Sequence, residues 1–172
     1  MNSVVFFENT YIVKSQLDIK TIQKLLHEDS RIRLEVSGHY LYDEEDCEEI
    51  ETSLQPILHH VVDLYINLNY ITPRLFDYCI HLEKLCVVLS DYVYLPTLPR
   101  LRYLVVRDVD DLFIEIQPSL EKITCLRTVI NGDKVVGPQV SEYVQEKWTG
   151  TIESLQPKVE KCFPNAKVSV TS

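Results

Sequence analysis

The 172-residue chain predicts an α/β fold, and three observations carry that expectation. One apolar pattern recurs in register: Val61-x-x-Leu64-x-Ile66-x-x-Asn69, Leu82-x-x-Leu85-x-Val87-x-x-Ser90, Leu101-x-x-Leu104-x-Val106-x-x-Val109, and a worn copy at Leu126-x-x-Val129-x-Asn131. Within a copy the side chains alternate, so Leu64 and Ile66 fall on one face of a short strand and Asp63, Tyr65 and Asn67 on the other. Before and after the copies lie segments whose apolar residues recur at helical spacing.

The anchors Leu64, Leu85, Leu104 and Val129 are 21, 19 and 25 residues apart. An L-x-x-L-x-L-x-x-N pattern repeating every roughly 20 to 29 residues resembles the leucine-rich repeat. The resemblance covers about Arg31 to Ser172 and is clearest from Val61 to Asn131. It implies a short solenoid with a curved parallel β-sheet, helices or turns on the convex side, and an N-terminal β-hairpin and helix as a cap. An asparagine closing the pattern bonds backbone groups where the chain leaves the strand. Only the copy starting at Val61 has it; Ser90 stands in partly, whereas Val109 and Lys134 cannot, so the ladder is broken and the solenoid irregular.

The elements follow in order. Val4 to Phe7 and Thr10 to Val13 flank Glu8-Asn9 and read as a hairpin. A helix follows from Leu17 to about His27, with Asp18 as cap and Ile19, Ile22, Leu25 and Leu26 on one face. Ile32 to Ser37 alternates as a divergent first repeat strand. Asp43 to Leu58 is helical, its acidic residues crowding the first turns where the helix dipole favours them. Pro96, Pro99 and Pro118 fall in crossings between strands, since proline cannot donate to a ladder. Pro138 opens a helix carrying Val140, Tyr143, Val144 and Trp148, and Gly150 divides it from a second helix, Ile152 to Val159. Phe163 to Val170 returns to a strand with Val168 and Val170 inward. One domain, 1–172, thus comprises a cap (1–30), repeats (31–131) and C-terminal helices with a final strand (132–172).

Composition narrows function. A formal charge of −9 argues against general affinity for nucleic acid, which needs clustered Lys and Arg. No stretch approaches the roughly 18 apolar residues of a membrane span, and the opening Met-Asn-Ser-Val-Val-Phe-Phe-Glu lacks the basic flank of a signal peptide. Five scattered cysteines, with no C-x-x-C pair, fit reduced thiols at a cytoplasmic address rather than a disulfide framework.

Catalytic and cofactor signals are thin. His59-His60 has no Asp or Cys companion at ligand spacing, so no metal and no cofactor is expected. Cys79 and His81 lack a third group that would make them nucleophile and base, although a small cysteine-dependent hydrolase stands as the alternative class. The acidic run Asp43 to Glu51 reads as a solvated helix start and, second, as a dock for a basic partner.

The outward face gives the sharpest expectation. Stacking the copies in register aligns Glu35, Tyr65, Cys86, Val105 and Ile130, with Asp63, Lys84, Tyr103 and Thr128 beside them and Asn67, Val88 and Arg107 on the other flank. Apolar surface with tyrosine and arginine anchors marks interaction sites. The expected function is therefore a non-enzymatic protein-binding module, an adaptor or complex subunit, using Tyr65, Cys86, Val88, Tyr103, Val105, Arg107 and Ile130 on the concave face. The resemblance also implies ubiquitin-ligase substrate receptors, but the F-box signature L-P-x-E-hydrophobic does not precede the repeats.

Overall fold

Period-two alternation requires strands with one buried face, and the fold satisfies it in a single open sheet in which every pairing is parallel. The computed structural model describes residues 10–14, 16–37, 44–128, 130 and 134–171. In chain order the elements are β1 (Thr10–Val13), α1 (Gln16–Leu25), β2 (Ile32–Ser37), α2 (Glu44–Leu58), β3 (Val61–Asn67), β4 (Tyr70–Ile71), a 3₁₀ helix (Pro73–Tyr78), β5 (Lys84–Leu95), β6 (Tyr103–Ile114), β7 (Lys122–Leu126), β8 (Glu142–Glu146), α3 (Ile152–Cys162) and β9 (Lys167–Thr171). Strands lie side by side in the order β1-β2-β3-β5-β6-β7-β8-β9, with the short β4 also paired to β5.

The register is the expected one through β6. Leu34, Leu64, Leu85 and Leu104 align as neighbours, and Val36, Ile66, Val87 and Val106 form the next inward row. All eight side chains are buried. They belong to one core cluster with Ile19 and Ile22 of α1, Leu54, Ile57 and Leu58 of α2, and Leu155 and Val159 of α3. Burying a leucine of this kind contributes about 1.5–3 kcal/mol.

Beyond β6 the expected register fails. Leu104 pairs with Ile123, nineteen residues on, so the next copy is Leu120-x-x-Ile123-x-Cys125-x-x-Thr128 and not the one built on Val129. Val129 lies outside the described residues, and Thr128 rather than Lys134 closes the pattern. The helix expected from Pro138 to Trp148 is strand β8: Tyr143 and Gln145 point inward and are buried, and Tyr143 pairs with Ile123 and Val168. The second expected helix is present as α3, where the Thr151 hydroxyl caps the first turn by accepting from Ser154 N–H at 3.3 Å.

At the other end, Thr10–Val13 pairs in parallel with β2, while its expected hairpin partner, Val4 to Phe7, lies outside the described residues. Leu25, expected on the buried face of α1, is 57% exposed because the helix ends there. Pro96, Pro99 and Pro118 all fall outside strands, as expected.

A bend repeats along the sheet. Leu89, Asp108, Arg127 and Lys147 have φ of 56°, 52°, 53° and 51°, and each directly follows a member of one paired row, Val88, Arg107, Leu126 and Glu146. A non-glycine residue held there costs on the order of 1 kcal/mol, so its recurrence reflects backbone geometry imposed by neighbouring strands. Arg127 Nε meets Asp108 Oδ1 at 2.7 Å across two of these bends. After the bend β7 and β8 stop, whereas β5 and β6 continue to Leu95 and Ile114 as a paired arm. Gln117, fully buried, ties the crossings beneath that arm: its Oε1 accepts from Leu98 N–H at 3.0 Å and its Nε2 donates to Pro96 O at 2.7 Å.

Candidate functional site

Because alternate residues of each parallel strand turn outward, three outward rows cross the sheet. The central one runs Ile12, Glu35, Tyr65, Cys86, Val105, Thr124, Val144 and Ser169. One flank carries Arg33, Asp63, Lys84, Tyr103, Lys122, Glu142 and Lys167, and the other Val88, Arg107, Leu126, Glu146 and Thr171. Tyr65, Cys86, Val88, Tyr103, Val105 and Arg107 therefore share one face, and each is half-buried. Ile130 does not join them: it is buried in the core cluster, and Thr124 occupies the place beside Val105. Thr128 is likewise buried, and Asn67, on the outward side of β3 where its side chain bonds Tyr65, is covered there.

Part of the charge on the first flank is neutralised by ion pairs. Arg33 pairs with Asp63, Lys122 with Glu142 at 2.6 Å, and Arg102, just outside the strands, with Glu121 at 2.8 Å. Tyr103 sits under two cations, with Lys84 Nζ 5.7 Å and the Arg102 guanidinium 5.4 Å from its ring centroid, a geometry in which the ring quadrupole attracts them. Around it lies a shallow depression of about 520 Å³ lined by Lys84, Arg102, Tyr103, Val105, Lys122 and Thr124.

Arg107 is the less satisfied member. Its Nη2 reaches Glu146 only at 3.7 Å, and its Nε is buried with no hydrogen-bond partner. Burial pushes the Tyr65 hydroxyl above its ordinary pKa, with the neighbouring Cys86 and Glu35 acting in the same direction. Burial also pushes the Cys86 thiol up to about 11, against the pull of Arg107. Cys79 and Cys125, in the core, are pushed up to about 12 by the same desolvation.

The sequence reading missed a second apolar surface. The arm of β5 and β6 past the bend, with residues 130 and 134–136, lines a groove of about 660 Å³ that includes Tyr94, Leu112, Phe113, Ile116, Val135 and Val136. Phe113 and Ile116 are among its exposed members. The signal was the alternation Tyr92-Val93-Tyr94-Leu95 and Leu112-Phe113-Ile114, which continues the strands beyond Ser90 and Val109 where the repeat pattern stops.

The acidic segment also divides. Glu45, Glu48 and Glu49 are exposed, but Glu51 is buried and accepts from Thr72 N–H at 2.7 Å and from the Thr72 hydroxyl. Asp43 lies outside the described residues. Among the described residues no group of three or more His, Cys, Asp or Glu is placed to hold a metal ion, and no helix is long and apolar enough to cross a membrane. No family model, curated protein or solved structure matches the chain.

Proposed function

We propose that this chain is a leucine-rich-repeat-like solenoid acting as a non-enzymatic protein-binding module, with its partner seated on the outward sheet face. The observation that carries the reading is Arg107. A guanidinium with one long ion pair and a buried, unbonded Nε stands beside the apolar centre formed by Cys86, Val88 and Val105. The exposed end of the guanidinium, held only by that long ion pair, is open to a partner carbonyl or carboxylate, which would bond it while covering the apolar row. Tyr65 and Tyr103 supply rigid aromatic area on either side, as interface anchors do. A parallel arrangement in which successive copies align Leu34, Leu64, Leu85, Leu104, Ile123 and Tyr143 supports the repeat reading. An adaptor or complex subunit at a cytoplasmic address fits this role. The cysteine-hydrolase reading finds no support in Cys79, Cys86 or Cys125, whose thiols are all displaced away from the thiolate a nucleophile requires.

The test is affinity capture from cells, followed by binding measurements on the recovered partner. A Tyr103→Ala, Arg107→Glu double variant is expected to keep its melting temperature within a few degrees and lose at least about 2 kcal/mol of binding. A Phe113→Asp, Ile116→Asp variant in the separate groove is expected to bind normally. Loss of binding in the second variant with full retention in the first overturns the face as the site.

A further inference from the structure

At the end of the sheet where the strands begin, four neighbouring turns each present a basic side chain: Arg31 before β2, His59 and His60 before β3, His81 before β5, and Arg100 before β6. Arg31 Nη2 lies 3.3 Å from His81 Nε2, and Arg100 Nη1 lies 3.0 Å from His81 Nδ1. A guanidinium only donates, and a neutral imidazole has one N–H and one lone pair. One of the two contacts is thus a hydrogen bond and the other sets N–H against N–H. The remaining neighbours worsen the mismatch, since the His59 and His60 rings lie tilted against each other with centroids 3.8 Å apart and both are within electrostatic reach of His81.

Among the described residues no carboxylate lies at salt-bridge distance from Arg31, His81 or Arg100. The charged and titratable residues acting on His81 are Arg31, Arg100, His59 and His60. By contrast Arg33, Arg102, Arg107 and Arg127 each face a carboxylate. On a chain of net charge −9, an unpaired cationic cluster is the exception. Like charges held together raise the free energy of the empty state, and a multivalent anion among them lowers it.

We propose that Arg31, His81 and Arg100 form a binding site for a phosphate-like oxyanion. The two guanidinium groups donate to its oxygens in the manner Arg uses for phosphate. The anion's charge favours the protonated form of His81, whose pKa is otherwise held down by burial and then by Arg31 and Arg100, and the guanidinium groups turn from the ring nitrogens to the anion as it binds. The site lies at the strand-entry end, away from the Tyr65 to Arg107 face, and does not depend on that face binding a partner.

Sulfate is the first probe, because it keeps its double charge throughout the histidine titration range. The His81 ring signal is followed by NMR against pH in sulfate and in chloride at matched ionic strength. The His81 midpoint is expected to rise by about one pH unit in sulfate, as a nearby opposite charge makes it do. Arg31→Gln and Arg100→Gln each abolish most of that rise, while Arg102→Gln, whose partner is Glu121, leaves it intact. Equal midpoints in the two salts, or an undiminished sulfate effect in Arg100→Gln, overturn the proposal. Inorganic phosphate and a phosphoserine peptide then separate the sources. At least tenfold tighter binding of the peptide supports a phosphorylated partner, and equal binding supports the free anion.

Discussion

Thr128 stands in for an absent partner on Val109: its Oγ1 accepts from the Val109 N–H at 2.9 Å and donates to the Val109 carbonyl at 3.1 Å. Both residues are buried. In the neighbouring copies the same position holds Ser90, whose hydroxyl donates to Asn69 O at 3.1 Å. The polar ladder is broken at Val109 as a side-chain series but continues through that residue's backbone. Thr128→Val keeps the shape and strands two buried backbone groups, so it is expected to cost about 1–3 kcal/mol in urea unfolding. Thr128→Ser is expected to retain most of the stability.

The same relationship shows what could be read in advance. Leu64, Leu85 and Leu104 sit in copies whose inward positions are all aliphatic, and period-two patterning located those strands and their pairing. The next copy carries Cys125 and Thr128, while a few residues on, Leu126-x-x-Val129-x-Asn131 matches the consensus better in letters. Spacing was the stronger guide, because Ile123 keeps the nineteen-residue step that a neighbouring strand needs. In the following copy Val140, Tyr143 and Val144 mimic helical spacing, and Gln145 hides the inward position. Of the seven residues expected to contact a partner, all except Ile130 are outward; Ile130, like Thr128 beside it in the expected rows, depended on the misplaced copy.

Gln145 is tolerated inside because it is satisfied on both ends. Tyr143 OH donates to its Oε1 at 2.7 Å, and its Nε2 donates to Cys125 O and Thr128 O, each at 3.2 Å. Tyr143→Phe is expected to cost about 1 kcal/mol, the net worth of one hydrogen bond. Gln145→Leu takes the donor from two carbonyls and one partner from the Tyr143 hydroxyl, which keeps Cys125, and is expected to cost more. Calorimetric melting of the two variants and their combination checks the order, and the double variant is expected to be less damaging than the sum, because the two residues share a bond.

Glu51 makes the fold sensitive to pH. Burial raises its carboxyl pKa above the ordinary value, outweighing the Thr72 hydroxyl and amide bonds that lower it. With the folded-state pKa raised, the native state binds the extra proton. The associated stability is present below the unfolded carboxyl pKa and is lost as pH rises through the folded one. Glu51→Gln accepts from Thr72 N–H and donates to the Thr72 hydroxyl without charge. The variant is expected to melt closer to wild type at pH 4 than at pH 7, gaining relative stability as pH rises. A relative loss with rising pH shows that the Thr72 bonds to the carboxylate dominate.

The cysteines give the sharpest separation between a binding module and an enzyme. With a pKa of about 11, the half-exposed Cys86 holds only about one thiolate in ten thousand at pH 7, and the thiolate is the reacting species. Cys79 and Cys125, at about 12 and buried, combine a smaller fraction with no access. Iodoacetamide at pH 7, followed by mass spectrometry of peptides, is expected to leave all three essentially unmodified over minutes and to label them once guanidinium unfolds the chain. Raising the pH of the folded protein is expected to speed Cys86 alone, because its neighbours on the outward face leave the sulfur half open. Rapid labelling of any of the three at neutral pH in the folded state reverses the electrostatic assignment and returns a nucleophilic cysteine to the leading role.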